Sequence, residues 1–466
     1  MTQENQEASA SGPDSFGTAR GIGVAGATAI VVGSMLGVGI FLTPPLVARS
    51  TGDPALFLLL WALGGLVAIA GATTYGELGA MMPRAGGDYV YIRRAFGAST
   101  GFAAGWVLFA GVFAGSIASM TVGVCRHQLS LLASGLAVDL SAPWLAVPSL
   151  GFRLEGVDVV AVGLVVLFTT VNALGVRLTT IAQSLLTMGP LALLGVFAIF
   201  VLASGPHAGA VASVTGERGT DDLSAALLGI YFTYAGWNSV AYVGGEVRDP
   251  GRNLPRALLG GTLVVTALYL LLCGAWLSLL GLGGIASSFE AGTASARALL
   301  GTGAEAPVAV LIALALCGAI NATVLGGARI AYAMGRDRGL PEWLGHLDPR
   351  TGVPTRALWL QAGFAALLVV TGTFVQLVQL ASIAMLLLGS LAVAALFALR
   401  RREPEAPRPY RATLYPLLPL GYLGTALAVV AVQIDAAVEG DGASSWFPLL
   451  GLAIFAAVWA LHRARA

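Results

Sequence analysis

The stretch IVVGSMLGVGIFLTPP, Ile30 to Pro45, decides how this chain is read. Gly33, Gly37 and Gly39 sit close together and Pro44 and Pro45 follow, all inside an apolar run able to enter a bilayer. Glycine and proline both weaken a helix. Unwound backbone at membrane depth leaves N–H and C=O groups that only a protein-lined cavity or a ligand can satisfy. A break here therefore predicts a binding cavity. A single glycine-rich stretch reads better as a close-packing notch, as in GFAAG (101–105) and GVFAG (111–115). Transporters built from inverted repeats carry matching breaks in their two halves, so a second break is expected about five spans later.

The 466 residues are 57% hydrophobic and only 11% charged, well below the roughly one-quarter charged residues of a soluble domain. Apolar blocks of spanning length recur near 24–47, 54–80, 98–124, 157–175, 181–204, 223–245, 257–282, 306–333, 356–373, 376–399, 413–434 and 446–462. They predict twelve transmembrane helices in an all-α polytopic membrane protein. All 25 basic residues are arginine. Alternate loops hold most of them, including Arg84, Arg93, Arg94, Arg248, Arg252, Arg336 and Arg400–Arg402, while the other loops keep only Arg49, Arg126, Arg153, Arg218 and Arg297. That bias places both termini in the cytoplasm and the chain in the cytoplasmic membrane. Residues 1–19 are polar without a cationic n-region, and are read as a cytoplasmic tail rather than a signal peptide.

The second break is found in the sixth block, YFTYAGWNSVAYVGGEVRDPGRNLP (231–255), around Ala235 and Gly236. Two breaks five spans apart favour cavities over notches. The implied organisation is a first repeat at 20–204, an inverted second repeat at 205–399, and two extra helices at 400–466. Cys125, Cys273 and Cys317 lie far apart and match no metal-ligand spacing. GASTG (97–101) has the spacing of a hydrolase elbow but opens a membrane helix. No P-loop is present. No enzyme, cofactor or metal centre is expected.

Several motifs in order, VVGSMLGVGIF, ELGAMMPRAGGDYVYIRRAFG (77–97), FTYAGWNSVAYVGGEVRDPGRNLPRAL (232–258), NATVLGGARIAYAMGRDRGLP (321–341) and TGVPTRAL (351–358), resemble the amino acid–polyamine–organocation superfamily. The resemblance is to its amino acid permeases, near the L-type branch and its bacterial relatives. It implies a LeuT-like core of five plus five helices, with helices one and six unwound. It implies that backbone N–H groups of Gly37, Val38, Gly39 and Ile40 hold a substrate carboxylate. Carbonyls of Met35, Phe232 and Ala235 would hold the ammonium, next to Gly236, with Phe232 as a gate. Tyr234 and Trp237 beside the second break are candidate substrate contacts or packing, and Asn238 reads as a hydrogen-bond partner of the frayed helix at the site. An anion suits the free N–H groups at the start of a half-helix.

Three positions depart from the family pattern. Val38 replaces a hydroxyl residue, Gly245 replaces the first of two glutamates before Glu246, and Pro190 stands where many relatives carry a helix-five lysine. With Thr323 as the one hydroxyl near helix eight, sodium coupling is disfavoured, leaving exchange or proton coupling. Glu77, near the end of span two, reads as a structural partner for a loop arginine. Glu246, Asp249, Arg252, Arg336 and Asp337 read as a charge cluster latching the inner gate. Neither break holds an acid, an arginine or a histidine, so neutral substrates are expected. The function expected is alternating-access transport of amino acids, with a membrane sensor as the rival reading. The partners expected are a small amino acid and the bilayer, and no nucleic acid.

Overall fold

Val24–Met35 carries no charge and forms the first helix, α1; the chain then bends by 43° into α2, Gly39–Thr51. The computed structural model describes residues 20–135, 138–147, 152–204, 220–371, 374–439 and 450–465. The expected tail at 1–19, Arg218 and the repeat boundary at 205 lie outside them.

The helices that follow are α3 (Pro54–Met81), a short α4 (Asp88–Phe96), α5 (Ala98–Ser134), α6 (Gly156–Ala173) and α7 (Val176–Ala203). Next come α8 (Thr220–Tyr234), α9 (Pro250–Ser287), a short α10 (Ala291–Leu300) and α11 (Glu305–Arg336). The last are α12 (Thr355–Thr371), α13 (Phe374–Arg402), α14 (Leu417–Glu439) and α15 (Leu450–Arg465). A two-stranded antiparallel hairpin, β1 (Pro143–Val147) with β2 (Phe152–Glu155), precedes α6. Glu155 and Asp158 close a reciprocal capping box at the α6 N-terminus, satisfying donors the helix leaves open.

Among the described residues eight helices are long and apolar enough to cross a membrane, or nine if α1 and α2 form one span. Not every one of the twelve blocks appears as a full-length spanning helix among the described residues. The sixth is cut short at Tyr234 where its backbone breaks, and α12 has only 17 residues. The third block extends well past 124, to Ser134, and the seventh runs to Ser287 through a bend at Gly281, whose φ is 66°. Along α7 the residues Leu185, Leu193, Val196 and Phe200 are more than half exposed. Such a stripe is untenable in water and ordinary against lipid. The polarity is inverted inside, where Asn172, Gln183 and Asn321 are fully buried. The chain is a multi-pass membrane protein.

Two short backbone pairings tie one end of the bundle together. Ile22 pairs with Val247, its N–H donating to the Glu246 carbonyl at 2.9 Å, and Ala85 pairs with Val243. They fasten the start of α1 and the loop between α3 and α4 to the turns that follow the second break.

Candidate substrate cavity

The break between α1 and α2 is an inverse γ-turn. Leu36 has φ −70° and ψ 59°, and the Gly37 N–H donates to the Met35 carbonyl at 2.7 Å. Helix resumes at Gly39, where the N–H groups of Phe41 and Leu42 both reach the Val38 carbonyl. The N–H groups of Val38, Gly39 and Ile40 have no acceptor among the described residues, as the first turn of a helix requires. Gly37 is thus not one of the free donors expected of it, because its hydrogen is spent closing the turn.

In the sixth block α8 ends at Tyr234, and the chain turns through Gly236, whose φ is 96°. A Cβ there would lie 2.7 Å from the Ser34 carbonyl oxygen, so only glycine permits both the turn and the approach. Short 3₁₀ turns, Ser239–Tyr242 and Gly244–Glu246, carry the chain on to α9. The breaks also meet at Gly39, whose Cβ would fall 2.7 Å from the Thr233 Cα.

Between the breaks lies a cavity lined by Met35, Gly37, Val38, Gly39, Phe232, Ala235, Gly236, Trp237 and Asn238, with Thr323 from α11. Ile40 is buried and does not line it. The Met35 carbonyl is an unsuitable partner for an ammonium. It already accepts the Gly37 N–H and the Tyr269 hydroxyl, filling both lone pairs. The Phe232 carbonyl likewise accepts the Ala235 N–H. The carbonyls of Ser34 and Ala235, both on lining residues, receive no hydrogen bond among the described residues. The residues around the cavity thus offer both free donors and free acceptors.

Residues 22–459 match the family described as Amino acid permease. The chain belongs to that family. It is 28% identical over 443 residues to the serine/threonine exchanger SteT of Bacillus subtilis (strain 168), covering 94% of this chain and 97% of that one. It is 28% identical to the large neutral amino acids transporter small subunit 2 of Homo sapiens, over 86% of this chain and 73% of the relative. The Asc-type amino acid transporter 1 of Mus musculus is 29% identical over 86% and 74%.

Sequence reasoning missed several of the permease's lining residues, and one of them is an acid. Asp88, the first residue of α4, is 2% exposed and faces the cavity from between two spans. Its polar neighbours are the hydroxyls of Tyr75 and Tyr242 and the side chain of Asn238. No hydrogen bond closes on its Oδ1 or on the Tyr75 hydroxyl. Burial pushes its carboxyl up to about 7, against the opposing pull of those neighbours. The signal was present in GGDYVY: Gly86 and Gly87, with φ of 112° and 49°, turn the chain so that α4 starts beneath the second break. The Tyr242 ring lies where a Gly87 Cβ would be.

Of the other expected residues, Trp237, Asn238 and Thr323 line the cavity with their groups engaged by the protein, while Tyr234 and Pro190 do not line it. Tyr234 donates to the Trp61 carbonyl and does not line the cavity, while the Trp237 ring packs edge-on against Tyr75 at 4.7 Å. Asn238 donates to the Tyr242 hydroxyl. Thr323 donates to the Ala319 carbonyl at 2.7 Å. Pro190 is buried within α7 away from the cavity, and the carbonyl four residues earlier, that of Leu186, faces Gly318 of α11.

Glu77, fully buried, takes a forked pair from Arg400 and accepts the Ala412 N–H, with Arg408 beside it. The expected charge cluster is split. Glu246 pairs with Arg329, an arginine inside α11, while Asp337 pairs with Arg93 and accepts from Tyr89.

Proposed function

We propose that this permease is a secondary transporter that moves neutral amino acids across the cytoplasmic membrane by alternating access around the cavity between its two breaks. One observation carries the reading: free N–H groups of Val38, Gly39 and Ile40 start a half-helix beside the cavity, and unfilled carbonyls of Ser34 and Ala235 belong to residues that line it. A carboxylate is favoured at the former by the hydrogen bonds and by the helix dipole. An ammonium suits the latter. Backbone alone reads what every α-amino acid shares, and the walls choose the side chain.

The arrangement fits a twelve-span, five-plus-five inverted repeat with both termini cytoplasmic, in which 20–204 and 205–399 rock against each other and 400–466 adds two helices. Phe232, partly exposed on the cavity wall, is the gate. The names of the relatives, a serine/threonine exchanger and transporters of neutral amino acids, support neutral substrates. So does the lining itself, where Asp88 is the one acid or base apart from tyrosines among the described residues. An anionic side chain would find no basic group there and would be buried without a partner, which costs several kcal/mol.

Sodium has little to bind. Between α6, α7 and α11 the side-chain amides bond mainly to one another, leaving the Asn172 Oδ1 as the unpaired acceptor among them. Asn321 donates to Gln183 at 2.8 Å, Gln183 to Thr187 at 2.9 Å, and Asn172 to Asn321 at 2.9 Å. Transport is therefore expected to be sodium-independent. The test is counterflow in proteoliposomes with sodium replaced by choline at fixed pH. Serine, alanine, valine and leucine should exchange in preference to arginine and glutamate, at rates that sodium removal does not change. Loss of most exchange in choline would reveal a cation site, and absence of counterflow for every amino acid would overturn transport.

A further inference from the structure

The floor of the cavity holds a carboxyl that the breaks do not use. Asp88 sits at the start of α4, 98% removed from solvent, with one oxygen lacking any hydrogen-bond partner. Its surroundings contain hydroxyls and an amide but no cation among the described residues. Tyr75 faces it from α3, Tyr91 from α4 itself, Tyr231 from α8, Tyr242 and Asn238 from the second break, and Tyr422 from α14. The nearest arginine of its own helix, Arg93, is engaged by Asp337. The arginines at Glu77 and Glu246 are likewise committed to those acids.

An ionised carboxylate in such a place is tolerable only while water reaches it. In an empty cavity, water solvates the charge. A bound amino acid displaces that water, and closure of the cavity then strands the charge in a low dielectric. The loaded, closed form is therefore stable only with a proton on the carboxyl, whereas the empty form crosses without one. We propose that Asp88 is the proton site of this transporter, taking one proton from the side on which substrate enters and releasing it to water on the side to which substrate leaves. The inference rests on the transport reading above and decides between the two coupling modes that reading allows. No bond other than O–H of the carboxyl is made or broken in the cycle.

Two measurements test it. Substrate binding by the purified wild-type protein, followed calorimetrically above neutral pH in buffers of different ionisation enthalpy, should show net proton uptake approaching one per substrate. In vesicles, an inward proton gradient should drive accumulation of the substrate. Asp88→Asn should bind without proton uptake, give a flat pH profile and lose gradient-driven accumulation, while Asp88→Glu should restore a pH dependence. A second buried carboxyl, Glu290 at the opposite end, is also pushed up to about 7 by burial, so Glu290→Gln is the control. It should keep the proton response.

Wild-type binding without proton uptake would overturn the assignment even if Asp88→Asn failed to fold. So would a proton response that survives in Asp88→Asn and vanishes in Glu290→Gln. Failure of the transport reading looks different, because wild-type vesicles would then show no counterflow at any pH.

Discussion

Gly37→Leu is expected to abolish substrate binding while the protein inserts and melts as the wild type does. A Cβ on Gly37 meets nothing closer than the Met35 carbonyl, at 3.9 Å, so the side chain enters open space at the cavity wall without forcing the backbone. The substrate carboxylate would occupy that space to reach the N–H groups of Val38 and Gly39. Hydrogen bonds to a charged group contribute about 1.5–3 kcal/mol each. At about 1.4 kcal/mol per tenfold, losing two of them weakens binding by roughly two to four orders of magnitude.

Gly39→Leu removes binding by another route. There the new side chain meets Thr233 backbone and must push α8 from α2, an overpacking that costs about 1–3 kcal/mol. The two variants should therefore part company in a thermal melt read beside a ligand titration. Gly37→Leu keeps its melting temperature and loses the ligand-induced shift, whereas Gly39→Leu loses both. A Gly37→Leu protein with ordinary affinity would place the carboxylate site elsewhere.

That contrast shows how far the sequence could be read. Helix breaking is local chemistry, so the glycines of 33–39 and of 235–236 marked both breaks, and the arginine-rich loops marked one end of the bundle. The two readings of such glycines, cavity and notch, were rivals in the sequence and coexist in the structure. Gly37 opens on space and Gly39 on Thr233 within a single turn.

What could not be read depends on residues distant in the chain. That Met35 loses its carbonyl to Tyr269 follows from how α9 lies beside α1, and no pattern around either residue reports it. Asp88 stood in a quoted motif, yet it reaches the cavity only because Gly86 and Gly87 turn the loop and the Gly86 N–H binds the Tyr242 carbonyl. The neutral environment inferred from the two breaks was therefore incomplete, since a third segment supplies the carboxyl.

Arg329→Met is expected to destabilise the protein more than any substitution at the cavity wall. The Arg329 guanidinium and the Glu246 carboxylate are 1% and 3% exposed, and they meet through two bonds of 2.9 and 3.2 Å. A third guanidinium nitrogen donates to the Leu325 carbonyl. Such a pair gains little over an apolar contact of the same shape, because both charges were taken from water. Removing one partner is different, since it leaves the other charge buried alone, at about 3–5 kcal/mol.

The pair also joins α11 to the turn that follows the second break, so the loosened segment is the one that tethers Ile22 through the Glu246 carbonyl. Heat should consequently inactivate Arg329→Met much faster than wild type, with the half-life at fixed temperature as the readout. Glu246→Leu combined with Arg329→Met should recover most of the loss, because no charge then remains uncompensated. If the double variant were no more stable than Arg329→Met, the stabilisation would lie in packing of the arginine stem and its bond to Leu325, and the ion pair would have to be given up as the tie between α11 and the break.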